Sequence, residues 1–501
     1  MSSYGTFYNS ARLNMDVGDV NECFLASRQL SAVYGTGLIL ILSPIVMAVI
    51  RELDIDFAYN FITIMSIIAL VFMFLTFSME VYFWRIHGEH IFQEVRNNTV
   101  STYLKVGTLL FGCVTVIFLV ISIIRGLQCT GNGLAQYYMH LSEMCVCLTE
   151  IIYLYMYSQV CFQKFTILNR FGTMHLIATN MAYCIGTFLN EAFLDYCTKC
   201  GLTVCPLCAK IIITDRGYSI VHEIYSKSSP YLSACLVEYC VIASCLLRIT
   251  WCNVGHRNQY QHVGIPPQHS YQIRKSKYGI ITGFLTVVAI FAFGIVQHYY
   301  HKAVHNIFLY IRIGLDTSIC ACLFVCLWCI DVDADTFFSE TISSTQDSVL
   351  LLCSMSFLVL QCLYTLAAAI VKGCILLALD TTLCLAMSIM QALFVISKKS
   401  CLRIYSKPGR MHNLLLFLTI ANLSYWILSH YELKNELDLT KPQEAVYGER
   451  AWYAIHHVTG PLIILFFFHS SVCLFEIWTT LPLDGSNRPT DQQSSSNSII
   501  Q

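Results

Sequence analysis

Charged side chains are scarce in this 501-residue sequence. Asp, Glu, Lys and Arg make up 12% of it, about half the share typical of a soluble domain. The net charge of -1 gives no polyelectrolyte signal, so nucleic acid is not an expected partner. The sequence also lacks a Walker motif, an H-E-x-x-H motif and a nucleophile elbow, so we expect no enzyme. The first thirty residues show no apolar core or cleavage site of a signal peptide.

Hydrophobic residues, in contrast, make up 56% of the chain. A soluble core of this length cannot bury so much apolar surface, whereas a bilayer requires apolar lipid-facing positions. We therefore predict an all-α polytopic membrane protein, embedded in membrane lipid, with twelve membrane-spanning helices. Windows of about twenty mostly apolar residues occur at 29–50, 58–83, 104–125, 139–162, 172–194, 230–253, 278–300, 307–330, 348–370, 373–397, 412–431 and 450–478.

The boundary between the ninth and tenth windows rests on only three residues, Val371, Lys372 and Gly373. A single long re-entrant segment there would reduce the count to eleven. Lys and Arg in the short loops favour a cytoplasmic N-terminus. An even number of spans then places both termini in the cytoplasm. The loop 331–347 is placed in the cytoplasm by this count, although it is acidic and carries no Lys or Arg. Acidic residues count little in this rule, so the predicted orientation stands.

The windows divide into two halves of six helices, an organisation common in transport proteins. We predict a cytoplasmic segment 1–28, an N-terminal half 29–254, a basic cytoplasmic linker 255–277, a C-terminal half 278–478 and a disordered cytoplasmic tail 479–501. A weak internal match supports the division: Asn180-Met181-Ala182-Tyr183 in the fifth window corresponds to Asn422-Leu423-Ser424-Tyr425 in the eleventh.

Most of the 25 cysteines lie inside apolar windows, where a free cysteine acts as a small hydrophobe. Four others form a C-x2-C-x4-C-x2-C pattern in a loop: Cys197, Cys200, Cys205 and Cys208. The central spacer is far shorter than in a zinc ribbon. An outward-facing loop favours disulfides over metal, and we predict no metal ligands in the chain.

Ionisable residues at membrane depth are candidates for function because they are costly there unless paired or hydrated. Glu143 and Glu150 lie seven residues apart in the fourth window and so share one helical face. A structural pair bonded to neighbouring hydroxyls is one interpretation. A water-lining acidic stripe, continued by Tyr157, is the one we favour.

Further candidates lie in the fifth, sixth and twelfth windows. Glu191 ends the fifth window near the outer surface, where a contact with solvent explains it equally well. Glu238 lies about 12 Å into the sixth window at 1.5 Å per residue. His456 and His457 lie at a similar depth in the twelfth window. A carboxylate and an imidazole at one level can pass protons between them, although a neutral histidine bonded to a carbonyl is the simpler interpretation for each.

The remaining candidates are secondary. Asp316 follows Arg312 by one turn, and the spacing favours a structural salt bridge. Asp380 and Gln391 share a face of the tenth window. Gln391 lies near its cytoplasmic end, where a contact with solvent is the simpler interpretation. His469 lies deeper on the same window as His457.

Three blocks of sequence resemble the otopetrin family. The first runs from Ser158 to Asn180 and is similar to the junction between the fourth and fifth helices of otopetrins. The second, in the sixth window, contains Glu238 and Tyr239 in the segment 229–239. The third covers much of 451–478 and resembles the last otopetrin helix.

The resemblance implies a homodimeric, proton-selective channel of the plasma membrane, opened by extracellular acid to conduct protons into the cytosol. It implies no cofactor, an inhibitory action of extracellular zinc, and sterol or lipid at the helix surfaces. By the same resemblance, Glu238 and His457 match a carboxylate and a histidine at the seam between the halves. Glu191 matches an acid on the fifth helix and Gln391 a glutamine on the tenth. We include Glu150 and the asparagines Asn180 and Asn422 as pathway residues.

Glu150 departs from the family pattern, since otopetrins usually carry glutamine at this position. Alternatives to a channel are a proton-coupled secondary transporter, a non-conducting paralogue, and a membrane-embedded acyltransferase that would use His457. The absence of an Asn/Asp–His motif near His457 weighs against the acyltransferase.

Overall fold

A computed structural model describes residues 17–50, 55–94, 102–128, 133–158, 160–199, 216–255, 276–299, 305–328, 346–400, 408–434 and 441–480. These residues are almost entirely helical. The first six helices are α1 (Val17–Ile50), α2 (Ile55–His87), α3 (Thr102–Gln128), α4 (Gly133–Tyr157), α5 (Thr166–Lys199) and α6 (Arg216–Asn253). The next seven are α7 (Lys277–Tyr299), α8 (His305–Trp328), α9 (Gln346–Lys372), α10 (Ile375–Ser400), α11 (Pro408–Lys434), α12 (Lys441–Tyr447) and α13 (Glu449–Thr480).

Eight helical segments of the described residues are long and apolar enough to cross a membrane. They are Phe57–His87, Leu104–Leu127, Tyr231–Asn253, Leu309–Trp328, Ser348–Lys372, Ile375–Ser397, Arg410–His430 and Val458–Thr479. These segments support a polytopic membrane protein. The structure therefore confirms the helical class, while the count of twelve spans stays a prediction. Helices α4 and α5 are not among the eight, and their sequences hold the polar side chains of the site described below.

Two details differ from the predicted windows. The fourth window, 139–162, was expected to be helical throughout, but α4 ends at Tyr157. Residues Val160–Phe162 form strand β2, which pairs antiparallel with strand β1 (Phe92–Glu94). Hydrogen bonds between the two chain segments replace those that a longer helix would have made. The first helix also begins at Val17, inside the predicted segment 1–28.

The boundary between the ninth and tenth windows is a helix end. Gly373 has a φ of 69°, a left-handed conformation that glycine adopts without a Cβ clash. The Cys374 amide donates back to the Ala369 carbonyl at 2.8 Å, as expected for a helix C-cap. Helices α9 and α10 are therefore separate, and each holds a segment long and apolar enough to cross a membrane. The number of spans at this boundary stays a prediction.

The chain forms two compact units, residues 1–263 and 264–501, called unit 1 and unit 2 below. In unit 1, α6 packs on α3 and α5, while α2 packs on α4 and α5. In unit 2, α11 packs on α7 and α13, and α10 packs on α8 and α9. Unit 2 has a large apolar core, whose buried members include Leu323, Phe394 and Phe466.

The predicted linker, tail and cysteine cluster fall largely outside the described residues. Residues 256–275 and 481–501 are not described, nor are Cys200, Cys205 and Cys208. Cys197 lies in α5, but its side chain is not described. The predicted domain boundaries and the state of these cysteines stay predictions.

Candidate functional site

Helix α4 carries two buried acids. The side chains of Glu143 and Glu150 belong to residues that are 5% and 0% exposed. Glu143 Oε2 lies 3.3 Å from Nδ1 of His140, one turn earlier on the same helix. A buried carboxylate is costly unless other groups compensate its charge, so the partners of Glu150 decide what that side chain can do.

Glu150 accepts hydrogen bonds from two other helices. The Asn180 side-chain amide on α5 donates to Oε1 at 2.8 Å. The Tyr239 hydroxyl on α6 donates to Oε2 at 2.9 Å. All three residues are buried. The Asn180 Oδ1 atom has no hydrogen-bond partner among the described residues. The three side chains form a buried polar site that joins α4, α5 and α6 around one titratable group.

One turn after Asn180, a second polar contact links α5 to α2. The hydroxyls of Tyr183 and Ser66 lie 2.6 Å apart, and both residues are buried. Since Tyr183 follows Asn180 by three residues, both face the same side of α5. Polar side chains thus continue from the Glu150 site toward α2.

Two tyrosines follow Glu150 toward the C-terminal end of α4. Tyr153 and Tyr157 are buried, with ring centroids 4.9 Å apart. Neither hydroxyl has a hydrogen-bond partner within the described part of the chain. Buried hydroxyls are usually paired, often with ordered water.

In unit 2 the corresponding polar pair consists of two amides. The Gln391 amide on α10 donates to Asn422 Oδ1 at 2.8 Å, and the Asn422 amide donates to Gln391 Oε1 at 3.0 Å. Asn422 also donates to the Leu418 carbonyl of its own helix α11 at 2.8 Å. Both side chains are buried, so the expected contact of Gln391 with solvent is wrong: its amide is paired with Asn422 instead. The pair satisfies its own polar atoms reciprocally and carries no titratable group.

Two buried acids of unit 2, Asp316 and Asp380, lie on α8 and α10. The Tyr425 hydroxyl, three residues after Asn422, donates to Asp316 Oδ1. The Arg312 Nε atom lies 3.3 Å from Asp380 Oδ1. All of these groups are largely buried. The charges of unit 2 are thus partly compensated by an ion pair between α8 and α10.

Three other predicted residues lie on α6 and α13. His456 Nδ1 is 3.4 Å from the Gln361 side-chain amide nitrogen, and its ring stacks on Trp452. His469 Nε2 lies 3.6 Å from Cys473 Sγ. Glu238 is buried on α6.

Two predicted residues have side chains outside the described set. Glu191 lies in α5 and His457 in α13, and only their backbone placement is described. The predicted pairing of Glu238 with a histidine stays a prediction.

Sequence reasoning did not single out the tyrosines of the site. Tyr239 was noted only as part of a motif, and Tyr183 and Tyr425 only as part of the repeat. The signal was present, because Asn180 and Asn422 are each followed three residues later by a tyrosine. Which acid or amide each pair would contact depends on helix packing, which the sequence pattern does not give.

The long apolar helices and the buried polar contacts between them define a multi-pass α-helical membrane protein. Residues 103–201 and 210–468 match the family model described as Otopetrin. The match covers well over half of the chain, which therefore belongs to the otopetrin family.

The chain is also similar to Proton channel OtopLc of Drosophila melanogaster. The two are 22% identical over 378 residues, which are 64% of this chain and 23% of the relative. The chain thus spans about a quarter of the length of that curated relative.

Proposed function

We propose that this protein is a proton-selective channel, rather than an enzyme, that conducts protons into the cytosol in response to extracellular acid. Membership of the otopetrin family and similarity to a protein named a proton channel support the proposal. The observation that carries it within this chain is the buried site of Glu150, Asn180 and Tyr239 in unit 1.

The chemistry of this site suits proton transfer. Removal of a carboxyl group from water penalises its charged form, whereas hydrogen bonds donated to the carboxylate stabilise that form. Both effects act on Glu150, since it is fully buried and accepts two hydrogen bonds. A carboxyl group under such opposing influences can take up a proton and release it again. Amide and hydroxyl neighbours can exchange donor and acceptor roles around it.

The proposed topology has twelve spans in two six-helix halves, with both termini in the cytoplasm of a plasma-membrane homodimer. In this topology α1, α4, α5 and α7 are four further spans. They add to the eight segments that qualify as spans by length and composition, which gives twelve. The apolar part of α7, Lys277–Ile290, is too short to meet those criteria.

The proposed pathway also includes Glu191, Glu238, His457, Gln391 and Asn422. Extracellular zinc as an inhibitor, and sterol or lipid at the helix surfaces, belong to the same proposal. Glu143, Asp316, Asp380, His456 and His469 are secondary members of the pathway.

Whole-cell recording in a proton-silent cell line tests the function. Sodium and potassium are removed, external pH is stepped from about 7.4 to about 5, where carboxyl groups with raised affinity load, and cytosolic pH is imaged. We expect an inward current that acidifies the cytosol and reverses near the proton equilibrium potential.

Each alternative has its own result in this recording. A current that requires a co-substrate would contradict the channel and favour a proton-coupled transporter. Protein labelled at the surface without current, with or without co-substrates, would favour a non-conducting paralogue.

A further inference from the structure

The face of α4 that carries Glu150 continues through Tyr153 and Tyr157 to the end of the helix. Spacings of three and seven residues place the three side chains on one side. At 1.5 Å per residue, the positions span about 10 Å along the helix axis. Both tyrosines are fully buried. This face thus leads from the buried site toward one end of unit 1.

Ring contacts link successive side chains along this face. The Tyr153 and Tyr157 rings lie with centroids 4.9 Å apart. Tyr157 in turn contacts the Phe92 ring, and the residue before Phe92 donates its backbone amide to Glu80 on α2. Because the two hydroxyls are buried without a hydrogen-bond partner among the described residues, each has a donor and an acceptor to offer to water. A hydrogen bond bridged by water is nearly as favourable as a direct one. The tyrosine hydroxyls and bridging water can therefore form a continuous hydrogen-bonded column along this face.

The column ends at a carboxylate–imidazole pair. Glu80 lies two turns before the end of α2, and one of its oxygens is bonded to His90 Nδ1. Its other oxygen accepts from the Ile91 backbone amide at 3.1 Å. The Glu80 side chain is 11% exposed, whereas that of His90 is 55% exposed. The pair therefore connects the buried interior of unit 1 with solvent.

The two-stranded ribbon holds this pair in place. The backbone amides of Gln163 and Lys164 both donate to the Ile91 carbonyl, at 3.1 and 3.2 Å. The Phe92 ring packs edge-on against Tyr157, with centroids 5.6 Å apart. Hydrogen bonds thus fix the backbone of Ile91, which lies between His90 and Phe92. The ribbon therefore holds the neighbouring His90 imidazole at the end of the column.

Other charged groups of the described residues lie near the pair. Lys164 Nζ donates to Glu89 Oε2 at 2.7 Å, and this hydrogen bond, with the positive charge of Lys164, holds the pKa of the exposed Glu89 carboxyl below the ordinary value. Glu89 therefore stays ionised and paired at neutral pH. His87 stacks on Phe83 and is also exposed. Arg85 lies on the same last turns of α2 and is exposed.

We propose that Tyr153, Tyr157, Glu80 and His90 form the cytosolic proton exit of unit 1, with His90 as the group that passes protons to solvent. The inference rests on the proposed channel function and on the proposed orientation. A proton that leaves Glu150 displaces one along the hydroxyls and intervening water to Glu80. The Glu80 carboxyl gives a proton to His90 Nδ1, and the imidazolium releases one from Nε2 to water, so that charge and protons balance. The neutral ring then carries its proton on Nδ1. A turn of the ring exposes Nδ1 to water, which takes that proton while Nε2 takes one up, and the return of the ring resets the pair.

Among the described residues, α10 does not repeat the first step of this column. The residue three positions after Gln391 is Phe394, which is buried in the apolar core and has no hydroxyl. Tyr153 thus has no counterpart at this position of unit 2.

The variant His90→Gln tests the proposal, with His87→Gln as the matched control in the same segment. Glutamine keeps a donor for Glu80 but cannot carry a proton. In inside-out patches at low buffer strength we expect the proton current per surface channel to fall about tenfold or more, within the range of lost acid–base groups. The control should stay within about twofold of wild type.

Chemical rescue separates a proton-carrying role from a structural one. Free imidazole at the cytosolic face should restore the His90→Gln current, because a mobile buffer replaces the missing imidazole. Tyr157→Phe, which keeps the ring packing, should also reduce the current but should not be rescued, because the lost hydroxyl is buried.

Two results would overturn the proposal while wild type conducts: a wild-type current in His90→Gln, or a reduced current that imidazole leaves unchanged. Absence of proton current in wild type would instead overturn the proposed function on which the inference rests.

Discussion

The two units place different chemistry at related positions. In unit 1 a carboxylate, Glu150, contacts Asn180, and in unit 2 a neutral amide, Gln391, contacts Asn422. Each asparagine is followed three residues later by a tyrosine. The amide pair in unit 2 shows that such a position can be satisfied without charge. The acid in unit 1 is therefore not required for packing, which points to a chemical role.

The second polar contact of each unit shows the opposite distribution. Tyr183 meets the hydroxyl of Ser66 in unit 1, whereas Tyr425 meets the carboxylate of Asp316 in unit 2. Each unit thus buries an acid against the helix that carries its asparagine and tyrosine. In unit 1 the acid contacts the asparagine, and in unit 2 the acid contacts the tyrosine. In unit 2 an Arg312–Asp380 ion pair lies on the same two helices, α8 and α10. In unit 1 the two groups that donate to the Glu150 carboxylate, on Asn180 and Tyr239, are both neutral.

The variant Glu150→Gln gives unit 1 the same neutral amide that unit 2 has at Gln391. Of the variants compared, it should change the proton current most. We expect the proton current per surface channel to fall about 100-fold, as for loss of a general acid–base group. Stability should be kept, because a glutamine amide can donate to Asn180 Oδ1, which lacks a partner among the described residues. The pair would then copy Gln391 and Asn422. Patch clamp with surface labelling measures the current, and thermal unfolding in detergent measures the stability. A well-expressed variant with wild-type current would contradict this role.

The reciprocal variant, Gln391→Glu, should destabilise the protein. A carboxylate cannot donate to Asn422 Oδ1, so one hydrogen bond of the reciprocal pair is lost and a charge is buried. The expected cost in the free energy of unfolding is about 1–3 kcal/mol. Thermal unfolding in detergent, with Glu150→Gln measured in parallel, checks the sign. Equal stability of Gln391→Glu and wild type would show that unit 2 accepts an acid as readily as unit 1.

The smallest effect is expected for Tyr239→Phe. The variant keeps the buried ring but removes the hydrogen bond to Glu150 Oε2. Loss of one such bond costs about 0.5–1.5 kcal/mol when the acceptor is the neutral, protonated carboxyl. Unfolding in detergent measures the loss, and Tyr155→Phe is the control because Tyr155 is 77% exposed on α4. The same unfolding midpoint in both variants would mean that the Tyr239 bond contributes nothing measurable.

Much of the helical fold follows from the sequence. Long apolar windows predict the helices because backbone groups in lipid must bond within the segment. The structure confirms a separate α9 and α10, since Gly373 supplies the left-handed cap. The ribbon between Phe92–Glu94 and Val160–Phe162 was not predicted. Its pairing joins segments more than sixty residues apart, and strands of three residues give no clear periodicity.

The site is only partly predictable for the same reason. Helical spacing places Glu143 and Glu150 on one face, but it does not say which helices they meet. The contacts of Glu150 with Asn180 and Tyr239 depend on how α4, α5 and α6 pack. The Glu80–His90 pair depends on the ribbon, and neither residue stands out in sequence because both lie near the end of an apolar window.

Proton flux into liposomes that contain only the purified protein tests the central claim most directly, namely that the Glu150 carboxyl of unit 1 carries protons across the membrane. Wild type and Glu150→Gln are reconstituted at equal density, and an internal pH dye reports the flux under an inward proton gradient. The account predicts rapid acidification with wild type and a rate near that of empty liposomes with Glu150→Gln. Equal acidification by both proteins would contradict it.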